Sequence, residues 1–361
     1  QSWSLRSFLP DALGEPGPFS FHRGALAMFE RSRGIRHRRT LLQGVLPPEP
    51  GDLELTHIAS SLDNAVEALL RDRCGLWLPD TSERTSQVMP LTVKGLSAWA
   101  LRDDALRAVL HAPVGRDPST VIAQRLDLAR RRGALPPLAL GDPAAHDLQV
   151  EVEALIAEAQ RLGAVVGSAS TAVDVALDLP AIHPRRIRGR VEYQGTQHIV
   201  HLTTKVFQPA HLLRAWIDLA AITLAHPGNS WEAVVVSRAT KDSARGQVLR
   251  LVSTEAAHQA LTVAAQFTRR TRQSVLPLTA SVSDALYRRG ARAARTIWAS
   301  ERGPSNNRWM QWAVGDTEFD ELLTLEPWPD EQGPEWGGSP GRLQRWSHRL
   351  WATFDATVAG T

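Results

Sequence analysis

The sequence predicts an α/β fold: a mixed module of strands and helices with a helical lead-in and a tryptophan-rich helical tail. Three observations predict it. Between residues 53 and 164, apolar side chains recur every three or four positions, the period of an amphipathic helix. Over 187–193 and 198–206 the character becomes β-like, with Gly195 placed to turn the chain between the two runs. Trp231–Ser237 is then almost unbroken apolar sequence, as expected of a strand covered on both faces.

The elements follow in order. Residues 1–50 are rich in Pro, Gly and Arg, with breakers at Glu15-Pro16-Gly17-Pro18 and Leu46-Pro47-Pro48-Glu49-Pro50-Gly51. They read as a linker or an extended strap leaving an upstream domain. A helical part spans 53–164. Ile58, Leu62, Val66, Leu69 and Leu70 make one apolar face, Gly75 is a stop, and 79–90 is a polar loop. Further helices are expected at 96–110, at 119–132 (ended by Gly133 and Pro136-Pro137) and at 144–162. The core, 185–272, runs strand, turn, strand, then a helix from Pro209 to His226 with Pro209 in its first turn. Strands at 231–237 and 247–252 and a helix at 254–272 complete it. The tail, 280–361, carries a helix at 281–299, then little periodicity among Trp309, Trp312, Trp328 and Trp336, then a last helix from Arg342 to Val358.

Composition narrows the function. The 43% hydrophobic and 22% charged content is that of an ordinary soluble chain. No apolar run approaches the roughly 20 residues of a membrane helix. The start, QSWSLRSFLPDALGEPG, does not have the pattern of a signal peptide, and its lack of an initiator Met reads as a piece of a longer protein. The single cysteine, Cys74, forbids an intrachain disulfide and a thiolate metal site, and fits a reducing cytoplasm; it reads as a core residue. No G-x-x-x-x-G-K-[ST] loop and no G-x-S-x-G elbow occurs, so neither ATP hydrolysis nor serine-hydrolase chemistry has support. His183 and His198 lack ligand-like spacing.

The stretch from Arg185 to His226 has the strand–turn–strand–helix layout of restriction-endonuclease-like (PD-(D/E)xK) nucleases. It resembles them in outline only. Hydrolysis of a phosphodiester with Mg²⁺ needs converging carboxylates, and a lysine two residues beyond one of them. The first strand offers Glu192. On the second, Lys205 requires an acid at 203, which is Thr203; shifting the frame places His201 at the acid and Thr203 at the lysine. Both registers fail, and the core reads as degenerate, with no catalytic residue and no bound metal or cofactor. The alternative is an active nuclease with a migrated carboxylate, drawing on Asp174, Asp178, Glu192 or Asp218.

Basic residues are nearly all arginine; lysine occurs only at 94, 205 and 241. Arginine matches phosphate with a planar fork. Clusters lie at Arg36-His37-Arg38-Arg39, at Arg130-Arg131-Arg132, at Arg185, Arg186, Arg188 and Arg190, at Arg269 and Arg270 with Arg272, and at Arg288-Arg289 with Arg292 and Arg295. Spacing of three and four places Arg288, Arg292 and Arg295 on one helix face. Candidate DNA contacts are the arginines at 185, 186, 188, 190, 269, 270, 288, 292 and 295. The tail tryptophans could stack on unpaired bases, or simply fill a core; Trp216 reads as core.

Four stretches carry a resemblance to one family. They are Pro18-Phe19-Ser20-Phe21, LTHIASSLDNAVEALLRDRCGLWLPD at 55–80, LTVKGLSAWALRDDALRAVL at 91–110 with RRRGALPPLALG at 130–141, and the segment from Arg188 to Pro227. In that order they resemble the C-terminal region of the RecC family, the gamma subunit of exodeoxyribonuclease V. The resemblance implies an inactive nuclease-like domain in a RecBCD complex. RecB-like and RecD-like partners would supply ATP- and Mg-dependent helicase and nuclease activity. The domain would line channels for double-stranded DNA ends and their separated single strands, in double-strand-break repair by homologous recombination. A pure subunit-interaction module without DNA contact is the further alternative.

Overall fold

A computed structural model describes residues 40–78, 93–113, 115–164, 171–178, 186–194, 197–240 and 243–359. Arg36–Arg39, the Pro18–Phe21 match, the 79–90 loop, His183, Arg185, Gly195 and Lys241 lie outside the described residues. The compact unit begins at Leu41 rather than after the Pro-rich breaker at 46–51. Residues 41–50 are fastened along it: Leu41 N donates to Ala313 O (2.8 Å), Leu46 N to Gln273 O (2.7 Å), and Glu49 pairs with the buried Arg272 (2.8 Å).

Strand β1 (Leu53–Glu54) leads directly into helix α1 (Leu55–Asp63), which buries Leu55, Ile58 and Leu62 at the predicted spacing. The expected single helix to Gly75 is interrupted. Asn64 adopts extended φ/ψ, its side chain accepts from Glu67 N (3.2 Å), and Ala65 N donates to Leu278 O (3.2 Å). A short polar side chain that caps a new turn competes with the helix it interrupts. Helix α2 (Ala65–Glu67) follows and widens into a π turn over Ala68–Arg73. Gly75, at φ +63°, ends the segment, and Cys74 is exposed there rather than in the core.

Helices α3 (Gly95–Leu110), α4 (Pro118–Arg131) and α5 (Asp142–Arg161) fall within two residues of expectation. Asp117 caps α4 by accepting from Thr120 N (2.9 Å). The strands form two three-stranded sheets. In the first, β3 (Arg186–Tyr193) lies between β1, parallel, and β2 (Thr171–Asp178), antiparallel. Strand β2 falls in a stretch without assigned structure in the sequence reading, although TAVDVALD alternates as a strand should.

In the second sheet, β4 (His198–Val206) pairs parallel with β5 (Glu232–Arg238), and β5 pairs antiparallel with β6 (Ala244–Leu249). The strands on either side of Gly195 therefore do not form a paired hairpin. They share one bridge, Gln194 with His198, and then diverge into different sheets. Helix α6 (Pro209–Ala225) makes the crossover from β4 to β5, as a parallel pair requires. The last strand ends three residues earlier than the 247–252 expected, because Val252 N pairs instead with Thr357 O (3.0 Å).

Strand β5 is covered on both faces. Val234 and Val236 pack with α3, α4 and α5, whereas Ala233 and Val235 join the core built around α1 and α6. That second core also takes in α7 (Thr254–Thr271), α8 (Ala280–Trp298) and α11 (Arg342–Thr357). Its two fully buried tryptophans each find an acceptor. Trp216 Nε1 donates to Thr357 Oγ1 and Trp351 Nε1 to Ser283 Oγ, both at 3.0 Å. Buried indoles need such partners.

The tail has more order than its weak periodicity predicts, with α9 (Arg308–Val314) and α10 (Phe319–Leu323) preceding α11. Polar pinning replaces helical pattern here. Glu331 is fully buried; its carboxylate accepts from Arg342 Nε (3.0 Å), Trp346 Nε1 (2.9 Å) and Trp328 N (3.0 Å). No described helix is long and apolar enough to cross a membrane.

Candidate functional site

The nuclease-like positions lie where β4 faces α6. Along β4, Val200 and Leu202 turn toward the helical lead-in, and Ile199 turns toward α6 with His201 and Thr203 of the same parity. A β-bulge between Thr203 and Val206 shifts the register against β5 and carries Lys205 out of the regular alternation, into an exposed position. An acid at 203 would thus not stand in the strand geometry that an acid-x-Lys triplet assumes.

One carboxylate does reach this face, and it comes from the helix. Asp218 is 4% exposed and is gripped by Arg214 Nε (2.8 Å), one turn before it on α6, and by His201 Nε2 (3.3 Å). Burial pushes its carboxyl up, but His201 and Arg214 outweigh burial and hold it below its ordinary value. Asp218 is therefore a buried anion held by the Arg214 guanidinium, with the His201 ring beside it. The R-x-x-x-D spacing at 214 and 218 was the signal for this pair, readable as a helical i,i+4 contact.

His211 opens α6. Gln208 N donates to its Nδ1 (3.2 Å), while burial, then the charges of Lys205 and His201, bring its pKa down to about 4. Asp63, at the end of α1, is pushed up by desolvation and drawn back by Lys205. Glu192 points to the opposite environment, on the exposed face of β3 with Arg186, Arg188 and Arg190. Glu192 and Asp218 are not brought together, and among the described residues no three His, Cys, Asp or Glu side chains form a metal-ligand group. The donor set here, a histidine, a threonine and an aspartate already paired to arginine, does not suit Mg²⁺, which asks for free oxygen ligands. Asp174 and Asp178 face solvent on β2, opposite Arg190 and Arg186 in register.

The arginine clusters separate into exposed, paired and buried. On β3, Arg186 pairs with Asp178 (2.8 Å) and Arg188 with Asp52 (2.6 Å); Arg190 makes no ion pair among the described residues. Arg270 is a structural residue. It is 8% exposed, bound to Asp330 and Glu331, and its guanidinium lies 3.8 Å from the Trp328 ring centre. Arg269 is half-buried at the wall of a cleft of about 290 Å³ shared with Arg349 and Glu335.

The expected stripe on α8 is broken. Gly290 has φ +81° and ψ 179°, so Arg288 lies before a kink and Arg292 and Arg295 after it. Glycine is the residue that takes this conformation without strain, and the helical spacing of three and four does not carry across it. Arg288 pairs with Asp284 (2.8 Å) and Asp355 (2.8 Å), and Arg295 with Asp320, leaving Arg292 exposed without an ion pair among the described residues. Of the tail tryptophans, Trp309 and Trp336 are buried, Trp328 lies against Arg270 and Arg342, and Trp312 is 48% exposed.

Residues 50–291 match the RecC C-terminal domain. The chain belongs to the RecC C-terminal domain family. Its relatives include the RecBCD enzyme subunit RecC of Mycolicibacterium smegmatis, 31% identical over 240 residues, and that of Mycobacterium tuberculosis, 29% identical over 242. Each alignment covers 66% of this chain and 21% of the relative, so the chain spans about a fifth of the length of the RecC proteins it matches. The matched RecC region takes in the helical lead-in, both sheets and α6, and ends just past the kink in α8.

Proposed function

We propose that this chain is a non-catalytic DNA-channel and scaffold domain of a RecBCD-type helicase/exodeoxyribonuclease that acts in the cytoplasm on double-strand breaks during homologous recombination. RecB-like and RecD-like subunits would bring the ATP- and Mg-dependent chemistry. The observation that carries this reading is the β4–α6 face: His201 and Thr203 stand where nuclease chemistry needs acids, and the aspartate that reaches it is occupied by Arg214 and His201. The run of α1, β2, β3, β4, α6 and β5 supports derivation from a restriction-endonuclease-like core that lost its site. Arg190 and Arg292 are the favoured phosphate contacts, since they are exposed and carry no ion pair among the described residues; Arg188 and Arg269 come next.

The test has two arms. Incubated with Mg²⁺ or Mn²⁺ and labelled single and double strands, the chain should leave both intact. Cleavage abolished by Glu192→Ala or Asp218→Ala would replace the proposal with the migrated-site nuclease. Forked DNA should bind with a salt slope of roughly 0.7–0.9 per phosphate contact. Arg190→Glu with Arg292→Glu should reduce that slope by about two contacts. A second reading, an interaction module without DNA contact, is favoured by the ion pairs that occupy Arg186, Arg188, Arg288 and Arg295. Failure of the wild-type chain to bind forked DNA at low salt would select it.

A further inference from the structure

Strands β4 and β5 run parallel and end on the same edge of the second sheet, where α6 begins. In open α/β sheets, ligands settle at the carboxyl edge of the parallel strands. Here that edge carries two aromatic rings, each with a cation above it. Lys205 Nζ stands 5.9 Å from the ring centre of Trp99, on α3. The Arg245 guanidinium, on β6, stands 5.7 Å from the ring centre of Phe207. Backbone pairing holds the two sets together. Val206 pairs with Arg238, Arg238 pairs with Ala244, and Lys205 N donates to Thr203 Oγ1 (3.2 Å) within the bulge. Arg102, one turn after Trp99, and Arg238 share the buried carboxylate of Glu151, which ties α3 to the end of β5.

The charges and the open rings indicate what this edge meets. Lys205 and Arg245 are exposed, and neither makes an ion pair among the described residues. Glu151 is already shared by two arginines, and Asp63, which feels the charge of Lys205, makes no ion pair with it. The edge is thus electropositive. Both rings are half-buried, and each cation sits near the roughly 6 Å limit of cation–π attraction, so neither ring face is filled. A ring face for a base, beside a free cation for its phosphate, is the combination that holds unpaired nucleotides. Bases in a duplex are stacked on one another and offer no such face, so a duplex gains nothing from the rings. We propose that Trp99 and Phe207 stack bases of a DNA single strand whose phosphates meet Lys205 and Arg245. This rests on the reading that the chain guides DNA, and it adds which form of DNA is held and where.

The test uses the whole chain with a labelled oligothymidine and a duplex of equal length, at several salt concentrations. Trp99→Leu and Phe207→Leu keep apolar volume and remove the ring face. Each should weaken oligothymidine binding about tenfold, the loss of one stacked base, while salt slope and duplex binding stay unchanged. Lys205→Gln with Arg245→Gln should instead lower the salt slope by about 0.7 for each charge removed. An oligothymidine carrying 5-iodouracil, irradiated on the wild-type chain, should crosslink to Trp99 or Phe207, a readout that needs no variant to fold. Oligothymidine affinity within twofold of wild type in both leucine variants overturns the stacking site and leaves the channel reading standing. Crosslinks confined to other residues do the same. Equal weakening of duplex and single strand in the leucine variants also overturns it, as does an unchanged slope in the charge variant. Failure of the wild-type chain to bind either form of DNA overturns the channel reading, and the site with it.

Discussion

Asp218 shows how one buried carboxylate is fixed by the side chains around it. Its carboxylate is buried between an arginine of its own helix and a histidine of β4. Asp218→Ala takes the acceptor from Arg214 and His201 and should cost about 1–3 kcal/mol in denaturant unfolding. Asp218→Asn, of the same shape, should cost less. His211 contributes a pH dependence of definite sign. Its folded pKa of about 4 lies below the ordinary 6.5, so between those values the unfolded chain binds the proton and the folded chain does not. Its contribution is fully present above pH 6.5 and is lost as pH falls toward 4. Melting measured from pH 7 to 4 should show a shallower decline in His211→Gln than in the wild type. The pairing at Asp218 was partly legible in the sequence, as an acid four residues after an arginine on an amphipathic helix. The bulge that displaces Lys205 was not, because it depends on the register with β5, a strand nearly thirty residues away.

Among the elements, long periodic helices were read nearly to the residue, because one apolar face per helix is written locally. The failures are places where a distant partner overrides local pattern. Asn64 ends α1 because Leu278 offers its carbonyl to the next amide; β3 and β4 part company because β2 and β5 claim them. Gly189 marks one such tertiary demand. In the middle of β3 it lies under Leu55, and a Cβ there would come within 2.7 Å of the leucine's own Cβ. Gly189→Val, although favourable for strand propensity, should destabilise the first sheet by about 1–3 kcal/mol through overpacking. Gly189→Val combined with Leu55→Ala should recover part of that loss in thermal melts, since the smaller side chain opens the space. The kink at Gly290 is the same kind of override: the sequence spacing described a straight stripe of arginines, and one glycine divides it.

For the whole molecule, the Pro-rich strap matters more than its composition suggests. Breakers argue against regular structure, and none is needed here: Glu49 pairs with Arg272, which is 3% exposed, and also approaches Arg73 (3.5 Å). The hydrogen bond from Arg272 leads the effects that hold the Glu49 carboxyl below its ordinary value. Glu49→Ala should therefore destabilise the unit by about 3 kcal/mol, and a chain begun at Gly51 should melt below one begun at Leu41, both read by calorimetry. The arrangement ties residues more than two hundred positions apart, a contact with no trace in any local window of sequence.

Strand β5 has a consequence at this scale too. Its odd and even side chains belong to different cores, so it is a party wall rather than a boundary. Neither the lead-in helices nor the α6 side can come away without stripping cover from the same backbone. Opening on one side exposes amides that the other side depends on, and the amides of β5 should exchange with solvent only when everything around them has come apart. A load applied to the helical lead-in would therefore be felt across the wall, at the very face where His201 meets Asp218.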